Sequence, residues 1–424
     1  MSITTTENKN KGKVLVVGAG IAGLCSAYYL HKAGWAVQVL DKEDGQNNCS
    51  IGNAGMIVPS HFTPLAAPGI VAQGLRWMLD SKSPFYVRPS LNPELINWGL
   101  KFLRHANQKH VDAHAEAIRD LNLYSSQLYD ILKDEVGFDF ELRQNGIMML
   151  YKSKAAAHEE QELAERARAL GLDAVPYDKE GIQALEPNLR LDAVGGVLYN
   201  CDGILSPSKL MHGLTVLLKE AGVTFNYQTA VEGFQVSGNK VTAVKTSKGT
   251  FDADEVVVTG GASLPSLVRS LSIKTPLMPG KGYSFMVEPP ENTAMQHAAL
   301  LVEARVAVTP MNGQIRFSGT MELGPANDRI YTNRVKGIVE AIPNYFPDLH
   351  VSYPEQVWYG YRPCSPDGLP YLGRSSRYQN VSIAGGAGMM GLSLGPAFGK
   401  TIADLLDGHT PQTNIQGFRP ERFH

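Results

Sequence analysis

Residues Lys13–Lys42, K-V-L-V-V-G-A-G-I-A-G-L-C-S-A-Y-Y-L-H-K-A-G-W-A-V-Q-V-L-D-K, constrain the fold of this chain more than any other stretch. Val14–Val17 is continuously apolar, as a strand buried on both faces of a parallel sheet must be. Gly18, Gly20 and Gly23 follow at the spacing G-x-G-x-x-G. The first glycine allows the tight turn, the second lets backbone approach a pyrophosphate, and the third lets helix pack close on strand. Ile21–Lys32 reads as the helix, whose free N–H groups and partial positive charge suit an anion. Gly34 stops it, Val37–Leu40 is the second strand, and Asp41 ends that strand. An acid about 20 residues beyond the glycines accepts hydrogen bonds from a ribose hydroxyl. The whole βαβ unit therefore reads as a dinucleotide site; glycines used only for packing would leave the acid unexplained.

At 424 residues the chain is long enough for two domains or one large discontinuous one. Lys+Arg 39 against Asp+Glu 41 leaves a formal net charge of -2, which excludes a broad basic footprint for nucleic acid. The polar Met1–Gly12 carries no apolar signal core, and no apolar run is long enough to span a bilayer. The four cysteines are scattered and form no metal or disulfide pattern. The expected place is the cytoplasm, with peripheral contact at the inner face of the membrane left open.

Beyond the opening unit, Lys42–Asn53 reads as a loop, and N-A-G-M-I-V-P at Asn53–Pro59 as either backbone lying against a flat ligand or an ordinary turn. Phe62–Phe85 is proline-rich and irregular. Asn92–His105, Val111–Leu132 and Ala155–Leu170 read as helices; in the second, Ala115, Ile118, Leu121 and Leu128 share one face. Phe138–Arg143 and Gly146–Tyr151 read as a hairpin turning at Gln144-Asn145-Gly146. Gly195–Tyr199, Val223–Val231, Lys240–Thr246 and Glu255–Val258 read as strands, with a helix at Ser208–Ala221. From Pro276 the texture is antiparallel, with a helix at Asn333–Phe346.

Val381–Ala384 runs into G-G-A-G-M-M-G-L-S-L-G-P-A-F-G-K at Gly385–Lys400. This second strand–glycine–helix junction offers further N–H donors. Two such junctions near opposite ends of a chain suit a large cofactor gripped at both ends, which favours FAD over a nicotinamide nucleotide.

The chain resembles the FAD-dependent amine and amino-acid oxidoreductases of the D-amino-acid oxidase superfamily, and within it the bacterial D-amino acid dehydrogenases. The resemblance rests on the opening βαβ unit with Asp41, on N-A-G-M-I-V-P with A-A-P-G at Ala66–Gly69, and on P-G-K-G-Y-S at Pro279–Ser284. It continues through G-Y-R-P-C-S-P-D-G-L-P-Y-L-G at Gly360–Gly373 and the terminal glycine turn. It implies an α/β fold: a Rossmann-like FAD-binding domain with an inserted α+β substrate domain on a mostly antiparallel sheet. The expected division is 1–61, 191–275 and 356–424 for FAD, and 62–190 and 276–355 for substrate.

Carried onto this chain, the resemblance implies that Gly18, Ala19, Gly20, Ile21, Ala22 and Gly23 hold the pyrophosphate, Asp41 the ribose and Lys42 the adenine side. Ser50, Asn53, Ala54 and Gly55 would line the flavin edge. Val231 would offer backbone to adenine, Gly260 and Gly261 would approach the pyrophosphate, and Gly388, Met390, Gly391 and Leu392 would contact the isoalloxazine. Arg362 would grip a substrate carboxylate with a bidentate fork, the alternative being a structural pair with Asp367. Tyr283 would bring a hydroxyl near that carboxylate, or is a packed aromatic. His61 is a further pocket residue, or simply exposed. Where the relatives often carry G-H-G, this chain has Gly386-Ala387-Gly388. The implied reaction is oxidation of a D-amino acid or cyclic imino acid by hydride transfer from Cα to FAD, with a quinone, the respiratory chain or oxygen as acceptor. A glycine-, sarcosine- or hydroxyproline-type enzyme is the alternative, and a non-catalytic FAD-bearing scaffold a distant one.

Overall fold

A computed structural model describes residues 11–46, 48–77, 80–88 and 90–424. Most of the polar N-terminal stretch lies outside them. The opening unit forms as its pattern demands: a strand over Lys13–Val17 with its last four residues buried, a helix over Ile21–Lys32, and a strand over Ala36–Leu40. They belong to a six-stranded sheet in the order Tyr371–Arg374, Val381–Gly385, Glu255–Val258, Lys13–Val17, Ala36–Leu40, Thr224–Asn226. Every neighbouring pair is parallel except the one at the Tyr371–Arg374 edge.

The chain leaves Lys13–Val17 on one side and returns to its other side only at Glu255–Val258. Such a reversal opens a crevice beyond the carboxyl ends of the strands. The Gly18 turn, Asp41, the Gly260-Gly261 pair and the terminal glycine turn all follow the carboxyl ends of these strands.

The two chain ends meet through small residues. The helix Gly395–Leu406 lies on Ile21–Lys32 so closely that a Cβ at Gly399 would sit 2.4 Å from the backbone of Cys25. The 29-residue helix Gln108–Val136 holds the terminal turn from beneath. The Tyr129 hydroxyl donates to the Leu392 carbonyl and the Ser125 hydroxyl to that of Ser393, both at 2.6 Å.

The second sheet runs Trp358–Cys364, Met278–Val287, Gln314–Leu323, Val306–Met311, Ala298–Leu301, Ile147–Tyr151, Gly195–Tyr199, Ala174–Asp178, and Phe85–Val87 joins Gln314–Leu323. It is antiparallel except where Ile147–Tyr151 meets Ala298–Leu301 and where Phe85–Val87 joins. The helix Thr332–Tyr345 packs on one face, with Val335, Ile338 and Tyr345 against Tyr283, Phe285 and Phe317. The other face approaches the loop after Asp41, where the Ser284 hydroxyl donates to the Gly52 carbonyl at 3.1 Å.

Two expectations are corrected. Phe138–Arg143 forms no hairpin with Ile147–Tyr151, because both edges of that fully buried strand are taken by Gly195–Tyr199 and Ala298–Leu301. Phe138 and Phe140 instead pack at the helices, and Glu141 turns at φ 56°. The expected strand Val223–Val231 divides: Thr224–Asn226 joins the first sheet, and Val231–Ser237 pairs with Lys240–Thr246 in a separate three-stranded sheet. The helix after the terminal glycines begins only at Gly395, after a single 3-10 turn at Gly388–Met390.

Candidate active site

The first glycine turn is shaped by backbone contacts that exclude side chains. A Cβ on Gly23 would lie 1.8 Å from the Gly18 carbonyl oxygen, and Gly18 itself sits at φ 109° against Thr259. Two side chains tie the turn from outside. An Asp41 carboxylate oxygen accepts the Ala19 N–H at 2.6 Å, and the Ser50 hydroxyl oxygen accepts the Ile21 N–H at 3.0 Å. Asp41 also accepts the Glu43 N–H at 2.8 Å, yet each carboxylate oxygen keeps a second lone pair. Ser50 keeps its proton to donate. The N–H groups of Gly20, Ala22 and Gly23 have no partner among the described residues. Unpaired donors at a helix N-terminus, on a cradle with no room for a Cβ, fit a bound pyrophosphate.

The other cofactor residues fall around this cradle in unequal ways. Val231 starts the three-stranded sheet just past Thr229, whose N–H is held by the Asp41 carbonyl at 2.7 Å. Gly260 and Gly261 follow the strand beside the first, and Gly261 takes φ 52°. Lys42 is exposed, with its Nζ 3.4 Å from a Glu43 carboxylate oxygen. Asn53 turns its side chain inward to accept the Gly55 N–H at 2.9 Å, with Ala54 between them. Gly55, at φ 80°, has no room for a Cβ against the Leu205 carbonyl. In the terminal turn Gly388 takes φ 54°, Met390 is buried with its sulfur near the Asn122 amide, Gly391 is helical, and Leu392 is buried.

Arg362 stands on the sheet face that looks toward this crevice. Along Trp358–Cys364, alternation puts Trp358, Gly360, Arg362 and Cys364 on one side and Tyr359 and Tyr361 on the other. A bulge aims the guanidinium. Lys281 pairs with Glu322 and Tyr283 with Gly319, so Gly282 faces an extra residue on Gln314–Leu323. Thr320 in that bulge takes φ 71°, strained for a β-branched residue, and its carbonyl accepts from Arg362 Nη1 at 2.7 Å. The guanidinium lies over Gly282, where a Cβ would be 2.0 Å from Nη1.

Arg362 makes no ion pair with a carboxylate among the described residues. Asp367 is not its partner, because Arg422 takes both carboxylate oxygens, at 2.6 and 3.0 Å. Burial lowers the Arg362 pKa from the usual guanidinium value, so an arriving carboxylate would restore what desolvation removed. A guanidinium that is half-buried, charged and without a fixed anion among the described residues is built for a bound one.

Tyr283 does not join it. Lys281, Tyr283 and Phe285 occupy the opposite face, and Tyr283 is only 1% exposed. Its hydroxyl donates to Glu322 at 2.8 Å and accepts the Tyr331 N–H at 3.1 Å, while burial raises its pKa. The packed-aromatic reading holds, because one residue of register decides the face.

Sequence reasoning also passed over Arg316, 8% exposed, which donates to the carbonyls of Ile51 at 3.1 Å and Asn53 at 2.6 Å. Burial brings its pKa down to about 10. Arg316 thus fixes the loop of Asn53–Gly55 onto the large sheet. Its only trace in the sequence is a charged residue inside an apolar strand.

A cavity of about 60 Å³ lies between the terminal turn and the sheet, lined among others by His61, Met321, Cys364, Ala387, Gly388 and Met390. Cys364 is two residues from Arg362 on the same face, about 7 Å along the strand.

The family model for FAD-dependent oxidoreductases (DAO) matches residues 13–405, nearly the whole chain and every element of this site. The chain belongs to this family of FAD-dependent oxidoreductases. FAD is its cofactor. Among relatives of the FAD-dependent oxidoreductase family, the chain is 31% identical to a D-amino acid dehydrogenase of Helicobacter pylori over 396 residues, covering 93% of this chain and 95% of that protein. It is 32% identical to one of Cereibacter sphaeroides over 416 residues, covering 97% and 95%. The fold is shared with glycine oxidase from Geobacillus kaustophilus, TM-score 0.79 at 21% identity, covering 98% of this chain and 99% of that one. It is shared also with L-proline dehydrogenase from P. horikoshii, TM-score 0.74 at 21% identity, covering 98% of each.

Proposed function

We propose that this enzyme oxidises a D-amino acid, or a cyclic imino acid, at the carbon joining its nitrogen to its carboxylate. The observation that carries this reading is the Arg362 guanidinium, without a carboxylate partner among the described residues and held by the Thr320 bulge on the face toward the crevice. Arg362 binds the carboxylate with two parallel charge-assisted bonds and so fixes the direction of the Cα–H. FAD, when bound, supplies the two-electron acceptor. Gly18–Gly23 would hold its pyrophosphate, Asp41 and Ser50 its ribose and linking oxygens, and Asn53–Gly55 with Gly388–Leu392 its ring. The imino acid released hydrolyses in water to a 2-oxo acid and ammonia, or stays cyclic. The twofold division expected from the sequence is supported by sheet membership, except that Gly195–Tyr199 and Trp358–Cys364 pair in the large sheet.

A dehydrogenase is favoured over an oxidase. The relatives above 30% identity are named D-amino acid dehydrogenases, while the glycine oxidase likeness is one of fold. Anaerobic mixing with a panel of D-, L- and cyclic amino acids should bleach the flavin band with a D or cyclic member. In Arg362→Ala the half-saturating concentration should rise about 10²-fold, the loss expected for a charge-assisted contact. Bleaching that survives Arg362→Ala unchanged would overturn this reading.

A membrane-borne acceptor is the companion proposal. No helix among the described residues is long and apolar enough to cross a bilayer. The helix Pro93–His105 nevertheless keeps Ile96, Leu100 and Leu103 exposed on one stripe, continued by Leu91 at 94% exposure, with Arg104 in its last turn. Cosedimentation with anionic vesicles should be lost in a Leu100→Glu, Leu103→Glu double variant that keeps its flavin.

A further inference from the structure

His61 lines the cavity beside Ala387 and Gly388. Its Nδ1 lies 3.3 Å from the Ser60 hydroxyl oxygen. That hydroxyl donates to one Asp202 carboxylate oxygen at 2.6 Å, and the Ser60 N–H donates to the other at 2.9 Å. Asp202 is fully buried; its backbone is fixed by the Gly146 N–H and the Tyr199 carbonyl, and it makes no ion pair among the described residues. The directions of these bonds determine the imidazole tautomer. With Asp202 ionised, Ser60 spends its proton on that carboxylate, so its oxygen accepts from His61, whose proton then sits on Nδ1. Nε2 is then a lone pair, with no partner among the described residues.

We infer that His61, Ser60 and Asp202 form a proton relay that takes the ammonium proton of the bound substrate. This rests on the amino-acid reading above, because only an amine-bearing substrate brings that proton. The N–H bond of the ammonium breaks and its proton goes to His61 Nε2. The Nδ1 proton passes to Ser60, and the Ser60 proton passes to Asp202. No electrons change hands: the amine gains its free pair, and the carboxylate becomes a carboxylic acid. The imidazole ends neutral with its proton on Nε2, and Ser60 now donates to Nδ1.

The surroundings suit this direction of flow. Burial, helped by the charge of Arg305, lowers His61 to about 4, so the ring is neutral and passes a proton on rather than keeping it. Burial raises Asp202 to about 7 against the two hydrogen bonds from Ser60, which matches it to a terminal acceptor near neutrality. The other titratable groups near the pair are Cys201, whose thiol donates weakly to Asp202 at 3.6 Å, and Tyr199; both are raised by burial and uncharged. Cys364 in the cavity wall is likewise a neutral thiol, raised to about 12.

Two readouts test the relay on the holoenzyme. In protein labelled with ¹⁵N-histidine, the His61 resonance, assigned by its loss in His61→Gln, should report the Nδ1–H tautomer at pH 9. It should convert to Nε2–H as Asp202 takes its proton near neutral pH. Ser60→Ala should abolish that conversion and Ser60→Thr should keep it. In anaerobic stopped flow, the acid limb of flavin bleaching should move up by at least one pH unit in Ser60→Ala, with the rate at pH 7 falling about 10²-fold. Ser60→Thr should restore both. A tautomer that stays fixed from pH 5 to 9, or an acid limb that Ser60→Ala leaves in place, overturns the relay. If no amino or imino acid bleaches the wild-type flavin, the amino-acid reading falls, and the tautomer measurement still decides whether the three residues are coupled.

Discussion

At the scale of single residues, two glycines with similar demands carry different information. A Cβ at Gly23 would meet a backbone oxygen at 1.8 Å, and one at Gly282 would meet the tip of an arginine at 2.0 Å. Backbone cannot yield, but a guanidinium can swing away. Gly282→Ala should therefore leave melting temperature and flavin content near wild type while a carboxylate inhibitor binds at least tenfold more weakly, which calorimetric titration would measure. Gly23→Ala should purify without FAD, read from the absorbance ratio. Gly23 was legible in the sequence because its clash lies five residues away in one βαβ unit. Gly282 was not, because its clash is with the neighbouring strand and depends on the bulge at Thr320. The same parity problem misdirected Tyr283, since no local pattern says which face of a strand buried on both sides looks at the ligand.

At the scale of elements, the segment following Arg362 is clamped by the end of the chain. Arg422 forks onto Asp367, donates to the Leu369 carbonyl at 2.8 Å and stacks 4.0 Å from the Tyr371 ring centre. Burial alone would raise the Asp367 carboxyl, but Arg422 and the hydrogen bonds around it leave the pKa lowered. A carboxylate with a depressed folded-state pKa contributes stability above its unfolded pKa near 4 and loses it as pH falls through the folded value. Arg422→Leu reverses the sign by leaving that carboxylate buried without its partner. Urea unfolding at pH 7 should show a loss of about 3–5 kcal/mol against wild type, typical for one half of a buried pair. The gap should narrow as pH is lowered toward 5, because the orphaned Asp367 then binds a proton; a gap that stays constant would show that Arg422 acts by packing alone. The sequence exposed this loop as Y-R-P-C-S-P-D and offered Asp367 as a partner for Arg362. It had no means of showing that a residue 55 positions later takes the acid first. The misread hairpin at Phe138–Tyr151 has the same origin: an apolar strand advertises that it needs two neighbours, not which ones.

At the scale of the molecule, the two ends of the chain are joined by helix contact, and both glycine turns depend on it. The turn after Lys13–Val17 feeds Ile21–Lys32, and the turn after Val381–Gly385 feeds Gly395–Leu406. Those helices touch where Gly399 meets the Cys25 backbone and Gly395 meets Ile21. That the ends converge was legible from two strand–glycine–helix junctions; that their helices carry the convergence was not, because the spacing of Gly395 and Gly399 reads equally as loop. Gly399→Ala places a methyl 2.4 Å from main-chain atoms, so the helices must part and the two turns separate with them. If FAD is held by both turns, as proposed, the effect should appear in its affinity: at least tenfold weaker by flavin fluorescence, equivalent to about 1.4 kcal/mol lost from the cofactor's stabilisation of the fold. Gly222→Ala provides the comparison. It sits at φ 90° with nothing within 4 Å of a new Cβ, far from either turn in sequence. It should lose on the order of 1 kcal/mol of stability through backbone strain and leave FAD affinity unchanged. If Gly222→Ala and Gly399→Ala weaken FAD equally, cofactor binding tracks global stability and not the spacing of the two turns. If only Gly399→Ala does, the contact between the first and last helices sets the width of the flavin site.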